Sequence, residues 1–312
     1  MPELLLRKFL SMLLSLFVLI TATFFLMKAI PGDPFSSAKQ VPDQVRAHLY
    51  AHYGLDKPVW EQYWIYLGHI LHGDLGMSMK QQYQSVNQII GDSFVPSFEL
   101  GVGALIVSAV IGVWFGMAAA LHHRKAVDTA IMIFAVIGLS VPSFVLASIF
   151  QYYLGVKLHW FAVAGLRNPI DYVLPTITLA ALPTAFIARL TRASMLEVLN
   201  ADFIRTAKAK GLNRTVIAYR HALRNALLPV LSYFGPLTAN VITGSVIVES
   251  MFGIGGLGKY FVYSISNRDY PVIMGITIFY AAVLMAARFL TDAAYMWVDP
   301  RIKLSGGKES SR

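Results

Sequence analysis

Small and cationic side chains alternate in residues 202–212, whose sequence is Asp-Phe-Ile-Arg-Thr-Ala-Lys-Ala-Lys-Gly-Leu. Alanine and glycine leave little side-chain bulk, so the backbone of a partner protein could approach this segment closely. The neighbouring cations would then surround the contact with charge. This chemistry is that of a protein-docking surface. The residues expected to form it are Arg205, Thr206, Ala207, Lys208, Ala209, Lys210 and Gly211.

The longer segment that holds this surface, residues 190–228, is expected to be a loop with short helices. Asn200 and Asp202 are expected to cap one helix, which ends at Gly211, and Asn213 is expected to start the next one. A plain basic loop would account for the Lys and Arg residues. It would not account for the length of the segment or for the alternation of Ala with Lys.

Ionisable side chains within apolar segments are costly and therefore informative. Arg288 and Asp292 lie four residues apart on one helical face and are expected to form an ion pair, with a structural role favoured over a substrate site. Asn240 and Thr243 are candidates for a solute path, although a hydrogen bond between helices would explain them equally well. Glu249 ends the same apolar run and is expected near the outer surface, in contact with water.

Two further patterns resemble sites without completing one. The sequence from Gly253 to Lys259, Gly-Ile-Gly-Gly-Leu-Gly-Lys, matches the start of a phosphate loop, but Tyr260 replaces the Ser or Thr that would ligate magnesium. The adjacent His122 and His123 favour a solvated loop over a metal pair. The chain has no cysteine, which excludes disulfides, thiolate metal sites and thiol catalysis. We expect no metal, no cofactor and no catalytic residue in this chain.

The composition indicates a protein that crosses a membrane several times. Of the 312 residues, 56% are hydrophobic and only 14% are charged, and the mean hydropathy is +0.57. The net charge of +9 could suggest nucleic acid as a partner. In a membrane protein an excess of Lys and Arg more often sets the orientation or contacts anionic lipid, so we expect contact with lipid and not with nucleic acid.

Six apolar runs approach the roughly 20 residues that a helix needs to cross a bilayer. They are Phe9–Met27, Leu100–Leu121, Thr129–Val156, Tyr172–Ala188, Asn225–Val248 and Tyr270–Ala287. The first run is long for a signal peptide and lacks a small-residue cleavage site, so a retained helix is expected. Several prolines within or beside these runs favour bends. They are Pro142, Pro175, Pro183, Pro229 and Pro236.

The distribution of cations predicts the orientation of the spans. If the N-terminus is cytosolic, the inner segments carry sixteen Lys and Arg residues and the outer segments eight. Because cytoplasmic loops carry the excess of Lys and Arg, both termini are expected in the cytosol.

The chain divides into four expected regions. Residues 1–30 form a cytosolic N-terminus and the first span, and residues 31–98 an extracytoplasmic loop. Residues 99–298 form a five-span core that includes the basic loop, and residues 299–312 a cytosolic tail. Within the extracytoplasmic loop, Asp43 to Gly54 and Pro58 to Gly73 predict two short helices. The second has an aromatic stripe, for which an interfacial anchor is favoured over a docking surface for an extracytoplasmic partner.

The basic loop, Arg205-Thr-Ala-Lys-Ala-Lys-Gly-Leu212 followed by Arg220-His-Ala-Leu-Arg-Asn-Ala-Leu-Leu-Pro229, resembles the cytosolic coupling loop of binding-protein-dependent ABC importer permeases of the peptide and nickel branch. Further segments agree with that branch over nearly the whole chain. They are Pro31-Gly-Asp-Pro34, Tyr53-Gly-Leu-Asp-Lys-Pro58, Gly73-Asp-Leu-Gly-Met-Ser78, Asn267-Arg-Asp-Tyr-Pro271 and Asp299-Pro-Arg301. The chain departs from the wider superfamily at Arg205-Thr206-Ala207, which stands for Glu-Ala-Ala, and from the branch at Gly255, which stands for Pro.

The resemblance implies an all-α membrane protein with six transmembrane helices, the type I ABC importer permease architecture, and a place in the bacterial inner membrane. It also implies a second homologous permease, two cytosolic ATPases that hold the ATP and magnesium, and an extracytoplasmic substrate-binding protein. The short helix at 205–211 would then lie in a groove of an ATPase, so that closure of the ATPase pair moves the attached spans.

The implied substrates are oligopeptides or dipeptides, with nickel or another small solute as the alternative within this class. A secondary transporter or channel is the alternative from another class. It predicts carboxylates at mid-membrane in several spans, and Asp292 is the only serious candidate in the sequence. An intramembrane enzyme is disfavoured, since no Ser–His or paired-Asp arrangement lies at matched depth.

Overall fold

The computed structural model describes residues 2–31, 35, 43–81, 83–242 and 244–298, with the backbone alone for residues 2–5, 43–44, 46, 239 and 291–298. Regular structure in this part of the chain is helical, apart from one antiparallel bridge between Met77 and Ser85. The all-α fold class that the resemblance implied is therefore confirmed. The tail at 299–312 and the segments Pro31–Pro34 and Asp299–Arg301 fall wholly or largely outside the described residues.

The chain folds as two compact units. The first unit comprises residues 1–95 and those from 256 onward, and the second unit residues 96–255. The helices of the first unit are α1 (Pro2–Ala29), α2 (Asp43–His52), α3 (Val59–Leu71), the start of α4 (Val86–Leu121), α13 (Leu257–Asn267) and α14 (Tyr270–Val298). Since α4 begins at Val86, the last part of the 31–98 segment is helical.

The second unit holds the rest of α4, with Pro96 inside that helix at the boundary. Its other helices are α5 (Ala126–Ser140), α6 (Ser143–Phe150), α7 (Val173–Leu199), α8 (Asp202–Ala209), α9 (Arg214–Val216), α10 (Arg224–Ala226), α11 (Leu228–Ile242) and α12 (Val246–Met251). Short segments of other helix types join them. They are the π-helices Gln151–Lys157 and Ile217–Leu223 and the 3₁₀ turn Pro169–Tyr172.

Five described helical segments are long and apolar enough to cross a membrane, and a sixth span results if one bent helix pair is counted as a span. The five are Leu6–Ala29, Val86–Leu121, Pro169–Leu199, Leu228–Met251 and Tyr270–Leu290. These spans follow the predicted runs, because a stretch that must bury its backbone in lipid has to be apolar and helical over its whole length.

The third predicted span is bent and not straight. Ala126–Ser140 and Ser143–Lys157 meet at an angle of 106°. Val141 has an extended backbone with ψ 121°, and Pro142 begins the next helix. A proline lacks the N–H for the helical hydrogen bond and pushes the preceding residue out of the α conformation, so the bend expected at Pro142 is confirmed.

Close helix contacts in the second unit depend on glycine. A Cβ at Gly116 of α4 would lie 2.5 Å from the carbonyl oxygen of Ala188 in α7, and one at Gly101 would lie 2.6 Å from that of Val241 in α11. Small residues of this kind let helix backbones approach within a membrane protein. They bring α4 against both α7 and α11.

Candidate functional site

The short helix α8 lies within the basic loop, and its ends agree only partly with the prediction. Gly211 has a left-handed φ of +74°, and Leu212 N donates to Ala207 O at 3.3 Å, so the predicted stop is confirmed. Asn213 starts the next helix as predicted, because its Oδ1 accepts from Thr215 N at 3.0 Å. The capping of α8 by Asn200 and Asp202 was predicted wrongly. The N-cap is Ala201, and Asn200 instead ends α7 by donating to Leu196 O.

One side of α8 is anchored in the second unit. Ile204 and Ala207, three residues apart, are buried in an apolar cluster. The remaining buried members of this cluster are Met117, Ala120, Met195, Ile217, Ala222 and Ala226. They come from the ends of α4 and α7 and from the helices that follow α8. A force on α8 therefore reaches two of the spans through direct packing.

Ala207 does not offer the close approach that the sequence analysis assigned to it. Its side chain is 6% exposed and contacts the chain's own core. The alternation of Ala with Lys places Ala207 on the buried side of an amphipathic helix and Ala209 on the exposed side, because residues two apart point in different directions around a helix.

The exposed side of α8 carries the cations. This basic face comprises Phe203, Arg205, Thr206, Lys208, Ala209, Lys210 and Gly211. Arg205 lies 3.5 Å from Asp202, but both side chains are largely in solvent, where such a pair contributes little. Phe203, 45% exposed, was missed by the sequence analysis. The available signal was the adjacent apolar pair Phe203 and Ile204, because neighbouring residues of a helix point in different directions and only one of them turned out to be buried.

A buried ion pair joins the start of α5 to α7. Arg192 Nε donates to Asp128 Oδ1 at 2.6 Å, and Arg192 Nη2 donates to Oδ2 at 2.8 Å. Oδ2 also accepts from Arg124 N at 3.0 Å and lies 3.2 Å from His123 Nδ1. His123 thus belongs to an ion-pair network. The described residues contain no group of three or more His, Cys, Asp or Glu that could hold a metal ion.

The expectation that Glu249 contacts water was wrong. Glu249 is fully buried in the second unit, and Ser97 Oγ of α4 donates to its Oε1 at 2.8 Å. The fifth apolar run breaks between Ile242 and Val246, where Gly244 has φ +94°. This break places the first turn of α12, with Glu249, against α4.

The remaining predicted residues can be located only in part. Asn240 lies on α11 with an exposed side chain, and Thr243 lies outside the described residues. Arg288 is exposed on α14, whereas the side chain of Asp292 is not among those described. The solute path and the ion pair therefore stay predictions.

Three of the sequence motifs meet in the first unit around Asp269, which is 2% exposed. Ser78 Oγ donates to Asp269 Oδ2, and Met79 N donates to Oδ1 at 3.0 Å. Tyr53 OH donates to the carbonyl of Ser78 at 2.9 Å. Burial, with a smaller contribution from the charge of Asp269, raises the pKa of Tyr53. Hydrogen bonds therefore connect the motifs that begin at Tyr53, Gly73 and Asn267.

The two helices predicted within residues 31–98 are confirmed as α2 and α3. The aromatic stripe of α3 is divided. Tyr63 is buried against Phe24 of α1, and its hydroxyl lies 2.7 Å from Thr21 Oγ1. Trp60 and Trp64 are about two-thirds exposed, at 65% and 64%. Amphipathic tryptophans of this kind are enriched at membrane interfaces.

In the part of the chain that the structure describes, up to six apolar segments could cross a membrane, and the short amphipathic helix α8 packs against the ends of two of them. This arrangement is that of a polytopic membrane protein. Residues 112–304 match the family described as binding-protein-dependent transport system inner membrane component, and residues 1–101 match the N-terminal family of the same transport systems. The chain belongs to this family of ABC importer permeases, as its motifs indicated.

Curated relatives match the chain over nearly its full length. It is 47% identical over 304 residues to the dipeptide transport system permease protein DppB of Bacillus subtilis, covering 97% of this chain and 99% of the relative. It is 40% identical over 305 residues to the oligopeptide transport system permease protein OppB of Salmonella typhimurium, covering 97% and 100%.

A solved structure supports the architecture. A chain of the MetNI methionine ABC transporter, in an inward-facing conformation, matches with a TM-score of 0.57 and 17% identity. The match covers 68% of this chain and 96% of that one. The type I importer permease fold predicted from the sequence is thereby confirmed.

Proposed function

We propose that this chain is one permease subunit of an importer for dipeptides or oligopeptides, driven by ATPases on separate subunits. The observation that carries the proposal is the identity of 40% or more, over nearly the full length, to permeases named for dipeptide and oligopeptide transport. Nickel, the alternative within the branch, is not favoured by these relatives.

The basic face of α8 is proposed as the contact with an ATPase subunit. Its geometry suits that role, because Ile204 and Ala207 fix the helix to the permease while Arg205, Lys208 and Lys210 project from it. Closure of the ATPases on ATP would push α8. The shared apolar cluster would transmit the movement to α4 and α7, since packed interiors shift as connected bodies.

The other parts of the proposal follow from the family. A second homologous permease would complete the path, to which Asn240 and Thr243 of this chain would contribute. A binding protein would deliver the substrate on the extracytoplasmic side, and two ATPases would hold the ATP and magnesium. Both termini of this chain would lie in the cytosol, as the bias of Lys and Arg favours.

The test is reconstitution of the chain in proteoliposomes together with the second permease, the ATPases and the binding protein of its importer. We expect uptake of a radiolabelled tripeptide. This uptake should require binding protein outside the vesicles and ATP on the side of the membrane that carries the ATPases. Nickel-63 should not be taken up. Uptake by the permease alone on a proton or sodium gradient would contradict the proposal. ATP-dependent uptake of nickel without uptake of peptides would contradict the substrate class.

A further inference from the structure

The first unit contains a cavity of about 480 Å³. It lies among the end of α1, the connection from α2 to α3, residues 74–79 and the start of α14. A volume of this order is typical of small-molecule sites, which are mostly apolar with a few placed polar groups. Most of the lining residues come from outside the candidate spans, which favours a water-soluble ligand over a lipid acyl chain.

Methionine supplies much of the apolar wall. Met27, Met77, Met79 and Met274 all line the cavity, from three separate parts of the unit. Methionine is unbranched and polarisable, so it adapts to ligand groups of different shape and is common at surfaces that accept varied partners. A wall of this kind suits a ligand whose side chains differ from one molecule to the next.

Charges of both signs border the same cavity. Lys28 Nζ donates to Gln62 Oε1 and lies 5.8 Å from the centre of the Phe24 ring. An ammonium group has three donors, and the described hydrogen bond uses one of them. Asp74 accepts from Gly76 N at 2.8 Å, and its other oxygen lies 3.0 Å from His69 Nδ1. A carboxylate accepts about four hydrogen bonds, so Asp74 has capacity for a ligand ammonium.

We propose that this first-unit cavity is a holding site for a short peptide. The terminal carboxylate of the peptide binds Lys28, its terminal ammonium binds Asp74, and its side chains contact the methionine wall. This inference rests on the proposed function and deepens it, since it assigns a substrate site to the first unit. A short peptide has a free carboxylate, a free ammonium and side chains of varied shape. These three features match Lys28, Asp74 and the methionine wall.

The test is equilibrium binding of radiolabelled trialanine to the complete importer in nanodiscs, without its binding protein. We expect Lys28→Met to weaken binding about tenfold, because a charge-assisted hydrogen bond is lost. C-terminally amidated trialanine should bind the wild type and Lys28→Met equally. In the reciprocal arm, Asp74→Asn should weaken binding of trialanine and leave that of N-acetyl-trialanine unchanged.

Lys157→Met is the matched control. Lys157 also ends a helix beside aromatic rings, with Nζ 5.3 Å from the ring centres of Tyr152 and Tyr153, but it belongs to the second unit and does not line the cavity. It should leave all binding unchanged. Met274→Trp provides a second variant, which should exclude trialanine by filling the cavity.

Equal effects of Lys28→Met on the acid and the amide, or no effect on either, would overturn the holding site. The holding site would also be overturned if mass spectrometry found a phospholipid bound to the wild type but not to Lys28→Met, and both proteins bound trialanine equally. ATP-dependent uptake separates the two proposals. If uptake occurs and the binding ratios are unity, the holding site alone fails, whereas absence of peptide uptake contradicts the proposed function.

Discussion

Arg192 donates two hydrogen bonds to Asp128, at 2.6 and 2.8 Å, and so joins α7 to the start of α5 with a planar, two-pronged contact. The carboxylate is 6% exposed. Asp128→Ala leaves the Arg192 guanidinium, which is 25% exposed, without its partner and should lower the free energy of unfolding by about 1–3 kcal/mol. Arg192→Lys should also destabilise, since an ammonium group cannot reproduce the two-pronged geometry.

Thermal unfolding of the purified permease in detergent measures both effects. Asp202→Ala, which removes an exposed pair with Arg205, is the matched control and should change stability by less than about 1 kcal/mol. Equal melting shifts for Asp128→Ala and Asp202→Ala would contradict the view that burial gives the first pair its weight.

The two alanines of α8 should respond differently to enlargement. Ala207→Leu inserts methyl groups into a packed cluster and should cost about 1–3 kcal/mol of stability. Ala209→Leu lies on the exposed side and should cost little. Cysteine at each position gives a second measurement. A polar maleimide should label Ala209→Cys readily and Ala207→Cys slowly, and the reverse order would show that α8 is turned the other way.

Removal of Phe203 should weaken the proposed contact with an ATPase more than removal of any single cation on the basic face. Exposed aromatic residues often provide the main binding energy of an interface, while rim charges mainly affect association rate and salt dependence. Phe203→Ala should therefore reduce ATP-driven uptake and ATPase co-purification by about tenfold or more.

The control for this variant is Phe144→Ala on α6, which removes a ring of similar exposure, 50% against 45% for Phe203, that does not belong to the basic face. It should leave ATPase co-purification unchanged. Lys208→Glu should weaken the association chiefly at low salt. Normal co-purification and uptake with Phe203→Ala would mean that the ring is not part of the contact.

Gly244→Ala should destabilise the second unit. Its φ of +94° disfavours any side chain, and an added Cβ would lie 2.4 Å from Glu249 Oε1. The strain at such a position costs about 1–3 kcal/mol, to which displacement of the buried Glu249–Ser97 hydrogen bond adds. Gly255→Ala is the control, because nothing lies within 4 Å of a Cβ there. Melting curves that coincide for the two variants would contradict this role of Gly244.

The spans were predictable because the bilayer imposes one local requirement, an apolar helix of sufficient length, and hydropathy reports it directly. The stop at Gly211 and the start at Asn213 were also predictable, since a left-handed glycine and a side-chain N-cap are local signals. Ala207 was misassigned because the composition of the loop does not show which side of α8 meets the rest of the fold. That side is chosen by tertiary packing against Met117 and Met195.

Contacts between distant residues carried no local signal. Arg192 and Asp128 are separated by a whole bent span, and the burial of Glu249 depends on the helix break at Gly244, within a run that otherwise reads as one span. Hydropathy averages over such a break. The meeting of the motifs at Tyr53, Gly73 and Asn267 likewise results from the fold and not from their spacing.

The hydrogen bonds that Asp269 accepts from Ser78 and Met79 join residues about 190 positions apart. Ribosomes make Ser78 long before Asp269. The donors at Ser78 and Met79 therefore lack their acceptor, the Asp269 carboxylate, through most of translation. A nascent chain arrested ahead of position 269 should be cleaved by protease near residues 74–79, and the finished protein should resist. Maturation of an early-made segment is thus completed by one of the last to leave the ribosome.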